Sequence, residues 1–217
     1  IVNVSTSGGE PVYGQFYRID PNTSRLFFAP TGRHLKAGCG YFADYWIFFP
    51  TAAFGITNNF SFAGGMSLIP GADTQLFYLM PKLTFELSGT AGIGAGLMHM
   101  RIPEEVEGFT LGYAVATFGK PTGGVTFGAG TALGRNAGDV FILLVGGEKQ
   151  VSNNAKLITE NWVFFGDGDG FTAISGGVRF FGDKLAVDLA LITAPEAWSD
   201  GGFPFFPWVD FSVFWGK

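Results

Sequence analysis

The chain has 217 residues, among them 34 Gly, 25 Phe, 6 Tyr and 5 Trp, with 47% hydrophobic residues, only 14% charged ones and a formal net charge of −5. So few charges beside so many aromatics exclude intrinsic disorder, Gly without a three-residue period excludes collagen, and the lack of any run near 18 uninterrupted apolar residues excludes a bundle of transmembrane helices. The 13 Lys and Arg are scattered rather than clustered, which excludes nucleic acid as a partner, since affinity for it rests on cations that neutralise phosphates.

Residues 1–23 are polar and turn-rich, from Ser5 to Glu10 and again at Asp20-Pro21-Asn22. Three readings stay open for them: a periplasmic tail, a plug folded into a lumen, or an arm (Ile1, Val2, Val4, Val12) that adds a strand to a neighbour. The chain begins at Ile1 with no basic segment followed by an apolar one, as expected of a mature form cut from an exported precursor. Residues 24–217 form one body of strands. The first predicted strand is Ser24 to Pro30 (SRLFFAP), followed by an outer loop over 31–40 that holds His34 and Cys39. A single cysteine excludes an intramolecular disulfide and gives no metal-ligand spacing.

From residue 41 onward Gly or Pro interrupts almost every window, and a helical period is nowhere sustained. Alternation replaces it. Strands are predicted near 41–56, 60–69, 75–87, 90–100, 109–119, 123–133, 139–149, 155–165, 171–181, 185–193 and 206–215. Their usual length of about 9–12 residues exceeds the roughly 5–6 of soluble strands and suits a tilted crossing of a bilayer. Tight turns fall at 57–59, 88–89, 119–122, 151–154 and 182–184, where Asn, Gly and Asp suit the backbone. Mostly longer connections alternate with them, at 70–74, 101–108, 134–138, 166–170 and 194–205. The pattern is an all-β, up-and-down antiparallel β-barrel of about twelve strands. The count falls to ten if 41–56 or its partner is misread, and rises to fourteen if the N-terminal segment contributes more.

The composition of the two strand faces sets the environment. A soluble barrel turns its polar face to water, but here the face opposite the bulky residues is mostly Gly, Ala and Ser. The expectation is therefore bulky side chains outward toward hydrocarbon and small ones inward, with Leu111, Tyr113 and Val115 opposing Gly112, Ala114 and Ala116. Aromatics gather at strand ends (Tyr41, Tyr45, Phe48, Phe49; Phe164, Phe165; Phe180, Phe181; Phe203, Phe205, Phe206, Trp208; Phe214, Trp215), as interfacial girdles would. In its hairpin period, its alternation of short and long connections and its last strand, the chain resembles a bacterial outer-membrane β-barrel over about residues 25–217. That resemblance implies a transmembrane barrel in the bacterial outer membrane, outer-membrane lipid around it, and a C-terminal assembly signal, Val209, Phe211, Val213 and Trp215, read by the barrel assembly machinery. Gly216-Lys217 after the final aromatic departs from the pattern.

Charges on the lipid face are costly, so Asp44, Lys82, Glu86, Glu148, Glu160, Arg179, Asp188 and Asp210 are expected to face the lumen. They would line a polar pore, or pair across a closed interior as Arg179 would with Asp188. Val140, Ile142 and Leu144 make both faces of their strand apolar, which suits a lipid-like ligand or packing against the N-terminal segment. Catalysis has little support: His34 and His99 lack a Ser and an acidic orienter in a recognisable arrangement. Gly166-Asp167-Gly168-Asp169-Gly170 is only a fragment of a calcium loop, and Gly92, Gly94 and Gly96 lack the context of a nucleotide fingerprint. No metal, cofactor or enzymatic activity is expected. The resulting reading is a structural or passive-transport barrel, either a narrow pore or a plugged scaffold. One alternative is a self-assembling subunit, a homo-oligomer or lattice built through barrel–barrel or N-terminal-arm contacts. A second is a lipid-active outer-membrane enzyme.

Overall fold

A computed structural model describes residue 16 and residues 18–101, 108–134, 140–166, 170–195 and 204–216. Twelve antiparallel strands close on themselves: β1 (Gly40–Tyr45), β2 (Phe49–Gly55), β3 (Phe60–Met66), β4 (Phe77–Ser88), β5 (Ala91–Arg101), β6 (Phe109–Lys120), β7 (Gly123–Leu133), β8 (Phe141–Gln150), β9 (Ala155–Phe165), β10 (Phe171–Phe181), β11 (Leu185–Thr193) and β12 (Phe205–Trp215). Each strand pairs with its sequence neighbours, and β1 pairs with β12 from Gly40–Trp215 to Tyr45–Asp210 to close the ring. No edge is left unpaired, which is the condition for strands to cross hydrocarbon.

The number of strands agrees with the sequence expectation, but the first strand does not. Ser24 to Pro30 is not part of the wall. Its residues are seven in number at most, too few to cross a bilayer, and Arg25 stands in their middle. They bend back on themselves instead, with Leu26 N donating to Ala29 O at 2.8 Å, Thr31 N to Ser24 O at 3.0 Å, and an isolated antiparallel bridge between Arg25 and Pro30. The twelfth strand comes from residues 41–56, which divide into β1 and β2 at Trp46, Ile47 and Phe48. The turn there takes positive φ at Trp46 (52°) and Ile47 (68°), bulky residues that give no sequence cue for a turn. The expected outer loop over 31–40 is likewise absent from the long-connection end, because the chain there returns to the short-turn end to enter β1.

The outer surface is apolar along its length. Near the short turns it carries Phe54, Phe85, Phe118, Phe180 and Trp215, and near the longer connections Phe77, Phe109, Phe141, Phe165, Phe171 and Phe205, with Leu, Ile and Val between. These two aromatic rings are the girdles expected of a bilayer-spanning barrel. Phe77 and Phe85 on β4 lie about 26 Å apart along the strand at about 3.3 Å per residue. The girdle membership expected from strand ends needs correction, however: Tyr41, Tyr45, Phe181, Trp208 and Phe214 point inward and are buried. The C-terminal row Val209, Phe211, Val213 and Trp215 does lie outward on β12.

The rule of bulky outside and small inside fails on β6. Leu111, Tyr113 and Val115 face the lumen, and Gly112, Ala114 and Ala116 face outward. The reason lies in the neighbours. Val115 sits between Gly94 of β5 and Gly128 of β7, and Tyr113 between Gly96 and Gly130. A Cβ at Gly96 would stand 2.5 Å from the Tyr113 hydroxyl, and one at Gly128 would stand 2.9 Å from Val115 Cγ1. Glycine on the flanking strands makes room for large lumen side chains between them, and Ile142 and Leu144 of β8 repeat the arrangement opposite Gly130 and Gly128.

Candidate functional site in the lumen

Residues 18–39 run through the barrel interior. Their partners belong to β1, β2, β4 to β6 and β8 to β12, an arrangement open only to a segment inside the ring. Near the short-turn end Arg18 Nε meets Asp183 Oδ1 at 2.7 Å, and the Arg18 carbonyl accepts from Gln150 Nε2 at 2.9 Å. The segment climbs to a tip at Phe27 and Phe28, then descends. On the way down Gly32 N donates to Thr117 Oγ1 at 2.8 Å, and the Arg33 guanidinium reaches Glu148 and the Lys120 carbonyl. It leaves by Gly38, whose N–H donates to Gly55 O at 2.9 Å.

Buried charge anchors this insert. Arg179 of β10 is fully buried; its Nε and Nη2 donate to Asp188 at 2.6 and 2.7 Å, and its Nη1 donates to Asp20 at 3.1 Å and to the Asn22 carbonyl at 2.7 Å. Lys156 of β9 joins Asp20 and Glu148, both at 2.8 Å. Arg25 pairs with Asp210, donates to Ser212 Oγ at 2.7 Å, and lies 5.0 Å from the Tyr45 ring centre. Glu160 accepts from the backbone N–H groups of Phe28 and Ala29 at 3.0 Å and from Trp162 Nε1 at 2.9 Å. Lys82 gives its protons to the carbonyls of Ser24, Thr31 and Arg33 at 3.0 to 3.2 Å. Cations (Arg25, Arg33, Lys82, Lys156, Arg179) and carboxylates (Asp20, Glu148, Glu160, Asp188, Asp210) balance in number, and each has a partner, as low-dielectric burial requires. Burial alone would push the Asp20 carboxyl up, yet Arg179 and Lys156 beside it hold it below the usual carboxylate range.

Of the charges expected in the lumen, Lys82, Glu148, Glu160, Arg179, Asp188 and Asp210 meet around the insert. Glu86 lies at the short-turn mouth, 57% exposed, with His34 Nδ1 at 3.9 Å. Asp44 is a correction. The register sets it opposite Phe211 and Pro50, on the side of the exposed Phe42, and so on the outer face. It sits at the end of β1, where its carboxylate accepts from Phe49 N at 3.2 Å across the outer turn and not in mid-hydrocarbon. Sequence reasoning missed Asp20, Arg25, Arg33 and Lys156. Lys156 shares its parity with Glu160 and was open to the same argument; Arg25 fell in the segment expected as the first strand, and Asp20 and Arg33 lay outside any strand pattern.

The charges occupy mainly the β8 to β12 side. Three cavities remain in the lumen, one at each mouth and one between them. The outer one, at the long-connection end, has about 350 Å³ and is lined by Phe27, Phe28, Trp46, Trp162, Trp208 and other apolar side chains. A middle one of about 80 Å³ lies between the insert and Leu111, Tyr113, Val115, Ile142 and Leu144. It shares Phe28, Tyr45 and Trp162 with the outer cavity. A third, of about 360 Å³, opens among Arg33, His34, Glu86 and Thr117 at the short-turn end and meets the middle one at Leu35. His99, at the other end, is engaged with Thr110 Oγ1 at 2.8 Å. The His34–Glu86 separation exceeds hydrogen-bonding distance, and Ser88 Oγ in the same cavity accepts from Thr90 N at 3.3 Å. The Asp167–Asp169 segment lies outside the described residues.

No protein-family model matches the chain, and no curated protein sequence does. Among solved structures it is similar to the KdgM porin, at a TM-score of 0.58 and 6% identity over 81% of this chain and 96% of that one. The structure described as the KdgM porin in complex with disordered oligogalacturonate gives the same score and identity over 81% of this chain and 95% of that one. The fold is that of bacterial outer-membrane β-barrels.

Proposed function

We propose that this chain is an outer-membrane barrel for passive transport whose lumen is closed to ions by its own N-terminal segment, and which passes small uncharged apolar solutes through the cavities left beside that segment. The observation that carries this reading is the line of three cavities beside an insert pinned by buried ion pairs. A water-filled pore needs a continuous polar channel, whereas the buried charges here are consumed by one another and the outer and middle cavities are walled mainly by aromatic and aliphatic side chains, the polar lining being confined to the short-turn mouth. Phe28 and Leu35, at the junctions of the cavities, are the constrictions a solute must pass. The likeness of fold to porins supports a transport role and carries no solute with it. The reading needs no catalysis. Outer-membrane lipid surrounds the girdles, and the outward row Val209, Phe211, Val213 and Trp215 is what the assembly machinery reads during biogenesis.

The test is uptake in a Gram-negative host whose outer leaflet resists apolar solutes. Cells making the protein take up the uncharged dye N-phenyl-1-naphthylamine faster than cells with the empty vector, and a Phe28→Trp variant, made at the same level, loses most of that gain. In a planar bilayer the purified protein gives no stepwise ionic conductance in KCl. Steps of open-pore size, or dye uptake equal to that of the empty vector, overturn the proposal.

A further inference from the structure

The ring is closed, but its seam is uneven. β12 has 11 residues and β1 only 6, and their pairing runs from Gly40–Trp215 up to Tyr45–Asp210 and stops there. Above Asp210, no strand stands beside β12 on the β1 side among the described residues. At about 3.3 Å per residue and a strand tilt of about 40°, the top of β1 lies about 10 Å below Phe205 of the outer girdle. The wall is notched there, and Trp46 fills the notch. Its N and Nε1 donate to Val209 O and Pro207 O, both at 2.8 Å, so one residue takes the place of a strand. Pro207 brings no N–H, as suits a strand edge without a neighbouring strand. Trp46 takes this position at a φ of 52° and Ile47 follows at 68°, conformations that bulky residues rarely adopt and that collect at clamps and switches.

Trp46 separates two apolar surfaces. Inside, it lines the outer cavity together with Phe49 and Trp208. Outside, Ile47 at the tip of the turn is 73% exposed, and Phe206, edge-on to the Trp46 ring at 5.5 Å, is 58% exposed. Asp44 marks what lies beyond, since the register sets it on the outer face just below the notch. Charge in hydrocarbon is costly, so the headgroups follow the low rim down. The notch therefore opens where headgroups meet acyl chains, the layer that amphipathic rings prefer.

We infer that this notch is a lateral portal, gated by the Trp46 indole, through which an uncharged apolar solute already dissolved in the outer leaflet passes into the outer cavity. The inference rests on reading the lumen as a route for such solutes and adds the side from which they come. An apolar solute leaves water for lipid before it meets the protein, and entry from lipid spares it a return to water. The gate is built to yield to such a guest. One hydrogen bond holds the indole, and its other restraints are ring contacts with Phe49, Phe206 and Trp208 at centroid distances of 6.1, 5.5 and 4.6 Å. An entering aromatic ring replaces those contacts in kind, whereas an ion replaces none of them.

Two measurements on the full-length protein test this. In phosphatidylcholine nanodiscs, with tryptophan rings protonated in an otherwise deuterated chain, the Trp46 ring is expected to show nuclear Overhauser contacts to lipid protons, and the Trp162 ring inside the cavity none. In cells taking up N-phenyl-1-naphthylamine, Ile47→Asp puts a charge at the portal on an exposed side chain and is expected to lose most of the gain in uptake. Leu133→Asp, at the same rim beside β7, keeps that gain. Trp46→Gly removes the gate with a residue suited to its φ and is expected to raise uptake severalfold above wild type; if that variant fails to fold, Ile47→Asp and the wild-type contacts decide. A Trp46 ring in contact with water protons only, or Ile47→Asp taking up dye like the wild type, overturns the inference. Lipid-chain contacts that reach Trp162 show a resident lipid tail and overturn it too. Lipid contacts at Trp46 without any dye uptake by wild-type cells leave the opening standing and sink the transport reading. Dye uptake that Ile47→Asp leaves unchanged does the reverse.

Discussion

Arg179 joins the wall to the insert through Asp188 on one side and Asp20 and the Asn22 carbonyl on the other. Replacing it with Met leaves Asp20 to Lys156 alone and Asp188 to Arg25 at 3.7 Å, and removing one partner of a buried network costs about 3–5 kcal/mol. Urea unfolding in detergent is expected to show that loss, and replacing Asp188 with Leu in the same molecule to recover part of it. Glu86→Gln, at an exposed mouth, is expected to shift stability by less than about 0.5 kcal/mol. Acid acts on the same cluster. Asp20 has a folded pKa below its unfolded value, so its contribution is fully present above the ordinary carboxylate range and is lost as pH falls through the lowered value. Ionic conductance is therefore expected to stay absent from pH 7 to pH 5 and to appear, if Asp20 holds the insert, only below about pH 4. At this scale the sequence was partly legible. Alternation on a strand together with the cost of charge in lipid found Lys82, Glu148, Glu160, Arg179, Asp188 and Asp210. The same reasoning misplaced Asp44, since it stands one residue from the end of β1, at the rim, where charge is tolerated on either face. Nothing local marks Arg25 and Asp20 as inward, because their partners are more than a hundred residues away.

Among the elements, β4 to β12 carry their period of two on their surface, and their short turns announce themselves with Gly, Asn and Asp. Two features escaped that reading for physical reasons. The β1–β2 turn uses Trp46 and Ile47 at positive φ, held by Trp46 N donating to Val209 O at 2.8 Å, so its cause is a neighbour in space rather than a turn residue. The inverted β6 depends on glycines of β5 and β7, and no single strand records it. The insert has its own fitted contact. A Cβ on Gly32 would lie 2.2 Å from the Gly92 carbonyl oxygen, with backbone on both sides and no flexible side chain to give way. Gly32→Val is thus expected to displace the insert at a cost of about 1–3 kcal/mol while the barrel stays closed. Limited trypsin digestion checks it, with cleavage after Arg25 or Arg33 gained in the variant and the heat-modifiable gel mobility of the barrel retained.

As a whole, the molecule is a barrel with an apolar exterior and an interior in which an ionic network tied to the insert lies beside outer and middle cavities walled mainly by apolar side chains. Removing residues 1–35 deletes Asp20, Arg25 and Arg33 together and leaves the wall pairs Arg179–Asp188 and Lys156–Glu148, with Lys82, Glu160 and Asp210, lining an emptied lumen. That truncated protein is expected to form ion-conducting steps in a planar bilayer where the intact one gives none; silence in both would show that the lumen is closed by something besides the insert. The location of the N-terminal segment was among the alternatives the sequence left open, and residues 1–15 lie outside the described part of the chain.

Arg25 pairs with Asp210, 185 positions further along the chain, at the β12 side of the closing seam. A residue that precedes every strand of the wall therefore finds its partner only on the last of them. Until the final strand zips against β1, no complete receptacle exists for the guanidinium, and a chain stalled before that step exposes its leading segment to proteases. Burial of the Arg25 guanidinium and closure of the ring are therefore coupled.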